Sequence, residues 1–422
     1  MNSFDAVQCT AFMNTRNSDR RVVVLNFSSM FQHGIILLLI GPLVPSLMVT
    51  FGVGESLTGL LLALGSVGFV IGLFFAGAVI DRVNVRAALV VGLTAEILGL
   101  VLFALAPVFA VAVIAGFVLR FGGSFIEAAA NVMPTLTAQR RAPHAVMNLV
   151  HMFFSVGAFV GPFLIGLYLQ ATGQWRPVML FALVPTTGVL LGAILIRIPR
   201  NVSTRPRGPD TPAGVKTAAA PRPIDGRRPV SQLFDVVKRK YVFLGAVTLF
   251  FYVGAEVGLS SWIVYYLQKE LGLAPVSSAV GLSVLWVAIM VGRFGNSILG
   301  DRFSSTTLVT VSGFGGAIGA VAFLFVRTIF PAYLVLAWIG LCLSGVFPNV
   351  MAELNNRDPE KTGTVTAVMA MGASSGAGAA QWFVGFLAET VSLSAAFVTP
   401  AVLQGLLVLS FWGALKARRP AK

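Results

Sequence analysis

Twelve apolar runs dominate the sequence, and their length constrains the fold more than any other feature. A bilayer-crossing helix needs about 20 largely apolar residues. A soluble domain would carry about 25% charged residues, whereas this chain is 56% hydrophobic and 11% charged. We therefore predict an all-α membrane protein of twelve transmembrane helices. The predicted spans, numbered 1 to 12, are 22–49, 56–80, 87–107, 110–137, 144–170, 177–197, 241–268, 276–300, 306–329, 331–355, 362–388 and 394–415.

The basic residues predict the orientation of these spans. The chain has 30 Lys and Arg against 16 Asp and Glu, and most of the basic residues fall in alternate loops, on the side that also holds both chain ends. Only Arg176, Lys269 and Arg327 lie in loops on the other side. Cytoplasmic loops are enriched in Lys and Arg, and the start of the chain lacks the layout of a cleavable signal. We expect a multi-pass protein of a bacterial-type inner membrane with both termini in the cytoplasm.

A polar stretch, 199–239, separates two predicted bundles, 22–198 and 240–416, and segments 1–21 and 417–422 are the predicted cytoplasmic ends. The stretch is rich in Pro, Gly and basic residues, which is typical of a flexible linker, and its charge favours contact with anionic lipid. Aromatic residues do not alternate with the charges, so no nucleic-acid partner is expected. We expect a monomer in the bilayer.

The two halves repeat each other at an offset of about 220 residues, as from Gly52 to Gly272. An ordered series of matches along the chain indicates duplication into two pseudo-symmetric six-helix bundles. Transporters with repeats of this kind bind their solute near the midplane, between the repeats. Other matched positions are Gly34 with Gly254, Gly72 with Gly292, Asp81-Arg82 with Asp301-Arg302, Asn131 with Asn349, and Gly157 with Gly376.

The loop between spans 2 and 3, residues 77–86, carries a charged turn with Asp81, Arg82 and Arg86. Its Asp can face the N-terminus of a helix in the other half. The loop resembles the signature loop of the major facilitator superfamily, which implies alternating access with these residues holding an inner gate. The Asp301-Arg302 turn is a reduced copy and a further gate candidate. The simpler interpretation is a positive-inside loop with a charged turn.

Segments of spans 4, 5 and 7 resemble the fucose-galactose-proton symporter branch of that superfamily and its sodium-glucose relatives. They are Glu127 to Asn131, Asn148 to Pro162, and Tyr252 to Trp262. The resemblance implies uptake of a sugar or similar small polar solute with a proton as coupling ion, and Na⁺ stays open. The fucose symporter has an essential Asp in span 1, whereas Gly34 to Pro42 contains no acidic residue here.

Ionisable groups inside spans are costly and usually face a cavity or a partner, so they supply the candidate site residues. Glu127, in span 4, is the first candidate for proton coupling or solute binding; the alternative is a structural hydrogen bond. Glu256, in span 7, is a second candidate acid. Asn131 and His151 are candidate solute contacts, although His151 is equally well explained as a packed neutral side chain.

Three further residues complete the predicted site. Arg120 lies seven residues before Glu127 on the same helix face, too far along the axis for direct pairing. Trp262 is interpreted either as a sugar-stacking residue or as part of an interface belt. His33 is the only ionisable residue of span 1, whereas Arg293, in span 8, is interpreted as an inner-gate or structural cation.

Enzyme chemistry finds little support in the sequence. We find no Walker loop, no nucleophile elbow and no His or Cys cluster with metal-ligand spacing, so no cofactor or metal is expected. Two other functions stay open. Gly157, Gly161, Pro162 and Gly166 partly match the antiporter signature of span 5, which would make the protein an exporter. A membrane receptor on a transporter scaffold would need a soluble output domain, which the sequence lacks.

Overall fold

The computed structural model describes residues 17–137, 143–198, 236–299, 302–355, 357 and 362–417. Within these ranges the chain forms helices and short connections without strands, which confirms the all-α prediction. Large apolar side chains remain exposed on the outer faces of the helices, such as Val184 at 72% and Ile318 at 67%. Exposed apolar surface of this extent is expected where a helix contacts lipid.

The described residues form twelve spans, and eleven of these are long and apolar enough to cross a membrane by hydropathy. The remaining one, Thr362–Thr390, has 29 residues, is rich in Ala, Gly and Ser, and packs between spans 2 and 7. In chain order the span helices are Asn17–Leu37 with Gly41–Leu43 and Val44–Phe51, Glu55–Arg82, Val85–Ala104, Phe109–Thr137, Pro143–Thr172, Arg176–Leu195, Lys240–Leu271, Pro275–Leu299, Ser305–Phe323, Ile329–Leu343 with Val346–Asn355, Thr362–Thr390, and Leu393–Ala396 with Thr399–Lys416.

Most helix ends lie within a few residues of their predicted positions. Span 1 begins at Asn17, inside the segment assigned from sequence to the polar N-terminus, and span 9 ends at Phe323, earlier than its predicted end at 329. Of the predicted linker, 199–239, the part from 199 to 235 lies outside the described residues.

The repeat predicted from sequence has a counterpart in backbone geometry. Gly52 and Gly272, one repeat apart, end spans 1 and 7 in the left-handed conformation, with φ of 62° and 64°. Glycine adopts this conformation without the steric cost that other residues incur. The same helix end therefore recurs in both bundles.

A second matched set of glycines brings helices into close contact. A Cβ at Gly34, in span 1, would collide with the backbone at Phe154 in span 5, and one at Gly157 would collide with the carbonyl of Phe31. In the other bundle a Cβ at Gly376, in span 11, would collide with the carbonyl of Phe250 in span 7. Spans 1 and 5, like spans 7 and 11, approach closely because these residues lack side chains.

Two spans are broken at prolines, which the hydrophobic runs do not reveal. The α-helix of span 1 stops at Leu37, and a short 3₁₀ turn that begins at Gly41 contains Pro42. Span 10 is interrupted between Leu343 and Val346, and Ser344 in this break lies four residues before Pro348. A proline lacks an N–H and its ring clashes with the carbonyl four residues earlier. At the first break, a Cβ at Gly41 would lie 3.2 Å from the carbonyl oxygen of Ser260, so spans 1 and 7 meet there.

The two bundles meet along two seams, span 2 against span 11 and span 5 against span 8. We call the side with the loops near residues 83, 198, 236 and 304 the linker end, and the other side the opposite end. Hydrogen bonds and an ion pair between described residues join the bundles in the half nearer the opposite end. The cleft between the bundles is therefore closed at the opposite end.

Candidate functional site

A cavity lies between the bundles at the closed end of the cleft. Spans 1, 2 and 4 line it from the first bundle, and spans 7, 8 and 11 line it from the second. Its lining includes Arg120, Ser260, Ser261, Gln381 and Trp286. These side chains offer a cation, two hydroxyls, an amide and an aromatic wall to a molecule in the cleft.

Hydrogen bonds across span 11 close this cavity toward the opposite end. Ser66, in span 2, donates from Oγ to Gln381 Oε1 at 2.8 Å, and Gln381 Nε2 donates to Ser261 Oγ at 2.9 Å. Gln381 thus links span 2 of one bundle to span 7 of the other.

An ion pair at the opposite end completes the closure. Glu55 Oε1 accepts hydrogen bonds from Lys269 Nζ at 2.7 Å and from Tyr265 Oη at 2.6 Å. One residue further on, the backbone N–H of Ser56 donates to Glu389 Oε2 at 2.7 Å. We call these contacts the seal. Both sets join the bundles, so opening this end requires breaking them.

The central feature of the first bundle is His33, which lies between two carboxylates. Its Nδ1 is 3.8 Å from Glu96 Oε1 and its Nε2 is 3.6 Å from Glu127 Oε2. His33 and Glu96 are buried, whereas the Glu127 side chain is 39% exposed. Gly123 makes room for this arrangement, because a Cβ there would lie 3.0 Å from His33 Cε1. Three titratable groups in this proximity can pass a proton between buried and exposed positions.

Glu96, in span 3, received no role from the sequence, yet it anchors this cluster. Its Oε2 accepts a hydrogen bond from Gln32 Nε2 at 2.6 Å, and Gln32 also donates to Thr186 Oγ1 at 3.0 Å. The signal was present in the sequence as a lone acid within an apolar run. Among the described residues, no group of three or more His, Cys, Asp and Glu is arranged to hold a metal ion.

The other candidates of the first bundle surround Glu127. Asn131 is half-buried one turn nearer the linker end, and the neighbouring Ala130 carbonyl accepts from Asn26 Nδ2 at 3.1 Å. His151 is half-buried in span 5 and interacts electrostatically with Glu127. The Arg120 guanidinium lies over the Phe69 ring, 5.0 Å from its centroid.

The second bundle has a compact charged pair. Glu256 Oε1 lies 3.9 Å from Arg293 Nη2 and accepts a hydrogen bond from Tyr252 Oη at 3.0 Å. Glu256 is 6% exposed, whereas the Arg293 side chain is 32% exposed. Sequence reasoning assigned these two residues to separate roles. The pair provides a reason for Arg293 at this depth, since each buried charge needs a partner.

Trp262 lies away from the cavity lining in this conformation. It is fully buried, its Nε1 donates to the Gln381 carbonyl at 2.9 Å, and Gly385 leaves space for its ring. Here it packs span 7 against span 11. A stacking role for Trp262 stays a prediction.

The predicted gate residues lie at the linker end, and those that the structure describes make no hydrogen bond or ion pair with a described residue of the other bundle. Asp81 and Arg82 are exposed. Arg86 donates to the carbonyls of Ala193 and Ile194, at the end of span 6 in its own bundle, where a cation stabilises a helix C-terminus. Arg302 is exposed, and Asp301 lies outside the described residues. Their gate role concerns the conformation in which the linker end is closed, and it stays a prediction.

Comparison with protein families agrees with this architecture. Residues 22–381 match the profile of the Major Facilitator Superfamily. The chain belongs to this superfamily. It is therefore a membrane-embedded transporter of small molecules rather than an enzyme.

Two curated relatives from the superfamily span most of the chain. A glucose/galactose transporter of Brucella abortus is 24% identical over 363 residues, covering 81% of each chain. An uncharacterised MFS-type transporter of Yersinia pestis is 23% identical over 362 residues, covering 86% of this chain and 88% of the relative. The first relative agrees with the sugar-transporter branch indicated by spans 4, 5 and 7.

Solved structures of other transporters share the fold. A bacterial homologue of the human lysosomal transporter Spinster, in an inward-facing conformation, has a TM-score of 0.74 at 15% identity, covering 97% of this chain and all of that chain. The fucose:proton symporter of E. coli has a TM-score of 0.62 at 18% identity, covering 94% of this chain and 99% of that chain. These likenesses confirm two six-helix bundles.

Proposed function

We propose that this protein takes up a sugar or similar small polar solute together with protons by alternating access. The observation that carries the proposal is the position of Glu127, whose carboxylate is partly open to the cleft and lies 3.6 Å from buried His33. A carboxylate in this position can take a proton from the cleft and share it with the buried cluster. Relatives named for glucose and galactose transport and a structural neighbour named as a fucose:proton symporter support the solute class and the ion.

Alternating access requires two states, each closed at one end of the cleft and open at the other. The seal closes the opposite end, and its ion pair and hydrogen bonds must break when that end opens. In the other state we assign closure of the linker end to Asp81, Arg82 and Arg86, together with the Asp301-Arg302 turn. Asn131, His151 and Glu256 are the proposed solute contacts in the open cleft.

A proton suits the His33 cluster better than Na⁺. Hard cations such as Na⁺ favour oxygen ligands, whereas the group between Glu96 and Glu127 is an imidazole. An imidazole flanked by two carboxylates is suited to holding a proton. The coupling ion is therefore assigned to H⁺.

The decisive experiment is accumulation of radiolabelled galactose, glucose and fucose by protein reconstituted in liposomes. We expect accumulation when a pH gradient is imposed, no accumulation without a gradient, and no dependence on Na⁺ at constant pH. Accumulation that follows a sodium gradient at constant pH contradicts proton coupling. Efflux against a solute gradient, driven by protons, would instead make the protein an exporter.

The proposed orientation places the linker end in the cytoplasm of a bacterial-type cell. Single cysteines at Arg302 and Gln174, in a variant without Cys9 and Cys342, test it. An impermeant thiol reagent should label position 174 in intact cells and position 302 only in inverted vesicles. The reverse pattern overturns the orientation derived from the basic loops.

A further inference from the structure

Arg120 lines the cavity between the bundles without a carboxylate partner. Among the described residues, no Asp or Glu oxygen lies within 4.0 Å of its guanidinium, whereas Lys269, Arg293 and Arg357 each have one at that distance. A cation at this depth is costly unless a counter-charge approaches it. We propose that the transported solute carries an anionic group, a carboxylate, and that Arg120 binds it; this inference rests on the proposed function.

The surroundings of Arg120 favour a bound anion over a purely structural role. Its guanidinium stacks on the Phe69 ring, and Gly65 lies against its side chain, since a Cβ there would be 3.0 Å from Arg120 Cγ. These two contacts restrict the positions open to the side chain. A planar guanidinium presents two parallel donors that match the two oxygens of a carboxylate.

The rest of the cavity lining suits hydroxyl groups. Ser261 Oγ accepts from Gln381 Nε2, which leaves the Ser261 hydroxyl hydrogen and the second N–H of Gln381 to donate. Trp286 also lines the cavity, and an aromatic side chain can pack against the apolar side of a sugar ring. Together these groups indicate a hydroxylated carboxylic acid, such as a sugar acid, as the solute class.

The charges near Arg120 explain how proton and anion would bind together. Glu96 and Glu127 act on Arg120 from beyond 4.0 Å, and His33 lies between them.

The other charged pair facing the cleft, Glu256 with Arg293, is satisfied within its own bundle, and His151 stands near both Glu127 and Arg293. When Glu127 takes a proton, one negative charge near Arg120 disappears. The carboxylate of the solute then replaces it, so each ligand favours the other.

Matched pairs of ligands test this inference on the wild-type protein. Thermal unfolding of purified protein is followed with galactose against galacturonate and glucose against gluconate, at two pH values. We expect the acid of each pair to stabilise the protein at concentrations at least tenfold lower than the neutral sugar, with a larger shift at the lower pH. Equal or stronger stabilisation by the neutral sugars overturns the inference, as does the absence of any response to the acids.

The two proposals fail in different ways. Proton-driven accumulation of galactose without binding of galacturonate overturns the anionic solute and leaves sugar uptake intact. Uptake of neither class under a pH gradient overturns both.

Variants show whether Arg120 is responsible. Arg120→Gln should lose the preference for the acid by tenfold or more, and Arg120→Lys should retain part of it because the charge remains. Arg176→Gln is the matched control, since Arg176 also stacks on a ring, 4.9 Å from that of Trp175, but lies outside the cavity lining. If folded Arg120→Gln keeps the full preference for the acid, the assignment is wrong. If Arg120→Gln does not fold, Arg120→Lys decides: a preference for the acid below that of the wild type supports the assignment, and an unchanged preference contradicts it.

Discussion

The two bundles share a frame but differ in the chemistry of their buried charges. In the first bundle His33 lies between two carboxylates at 3.6 and 3.8 Å, one buried and one partly open to the cleft. In the second, Glu256 has an arginine and a tyrosine as partners. The first bundle thus brings three titratable groups together, one of them partly exposed, whereas the second places an acid beside a permanently charged arginine. Duplication therefore kept the helix packing while the two halves came to carry different charged groups.

The largest effect is expected from breaking the pair in the second bundle. Arg293→Gln removes the counter-charge of Glu256, which is 6% exposed, and breaking a buried pair in this way costs about 3 kcal/mol. Thermal unfolding in detergent should detect this loss. The double variant Arg293→Gln with Glu256→Gln removes both charges and should recover most of the stability. If the double variant is as unstable as the single one, the pair is not what stabilises this region.

A smaller loss is expected in the first bundle. Glu96→Leu removes the acceptor of one of the two Gln32 hydrogen bonds and takes a carboxylate away from buried His33, at a cost of about 2 kcal/mol. Glu96→Gln should cost less, since its amide oxygen still accepts from Gln32 Nε2. The comparison of unfolding temperatures for the two variants checks this. Equal losses would show that packing, not the hydrogen bond, is what Glu96 provides.

The smallest effect concerns the seal between the bundles. Lys269 is 47% exposed, and ion pairs at such positions contribute about 0 to 1 kcal/mol. Glu55→Gln should therefore shift the equilibrium toward the conformation open at the opposite end by no more than about fivefold. Distances between spin labels on spans 2 and 11 measure the shift. Lys269→Met should act in the same direction, and an opposite effect of the two variants would contradict a shared role.

The sequence predicts the helices well because each apolar run exceeds the bilayer thickness and the repeat constrains their number. The matched glycines Gly52 and Gly272 also mark equivalent helix ends. The breaks before Pro42 and around Pro348 were not predicted, because hydropathy continues through both prolines. Such breaks depend on backbone hydrogen bonding, which an apolar run does not record.

The site was predicted in part. Glu127 and Glu256 stand out as single charges in apolar spans, and both face polar partners in the structure. The pairing of Glu256 with Arg293, and of His33 with Glu96, was missed because it depends on which faces of different spans meet. The sequence assigned Arg86 to the gate and did not predict its hydrogen bonds to the end of span 6. That contact was missed for the same reason, since it depends on how spans 3 and 6 pack together.

The central claim is that the first bundle couples protons while the second holds fixed charge. The measurement that tests it most directly compares Glu127→Gln with Glu256→Gln in liposomes, for accumulation under a pH gradient and for exchange without one. Glutamine keeps the size and hydrogen bonding of glutamate but does not titrate. We predict that Glu127→Gln abolishes accumulation and retains exchange, whereas Glu256→Gln weakens binding more than coupling. Normal accumulation by Glu127→Gln would contradict the account.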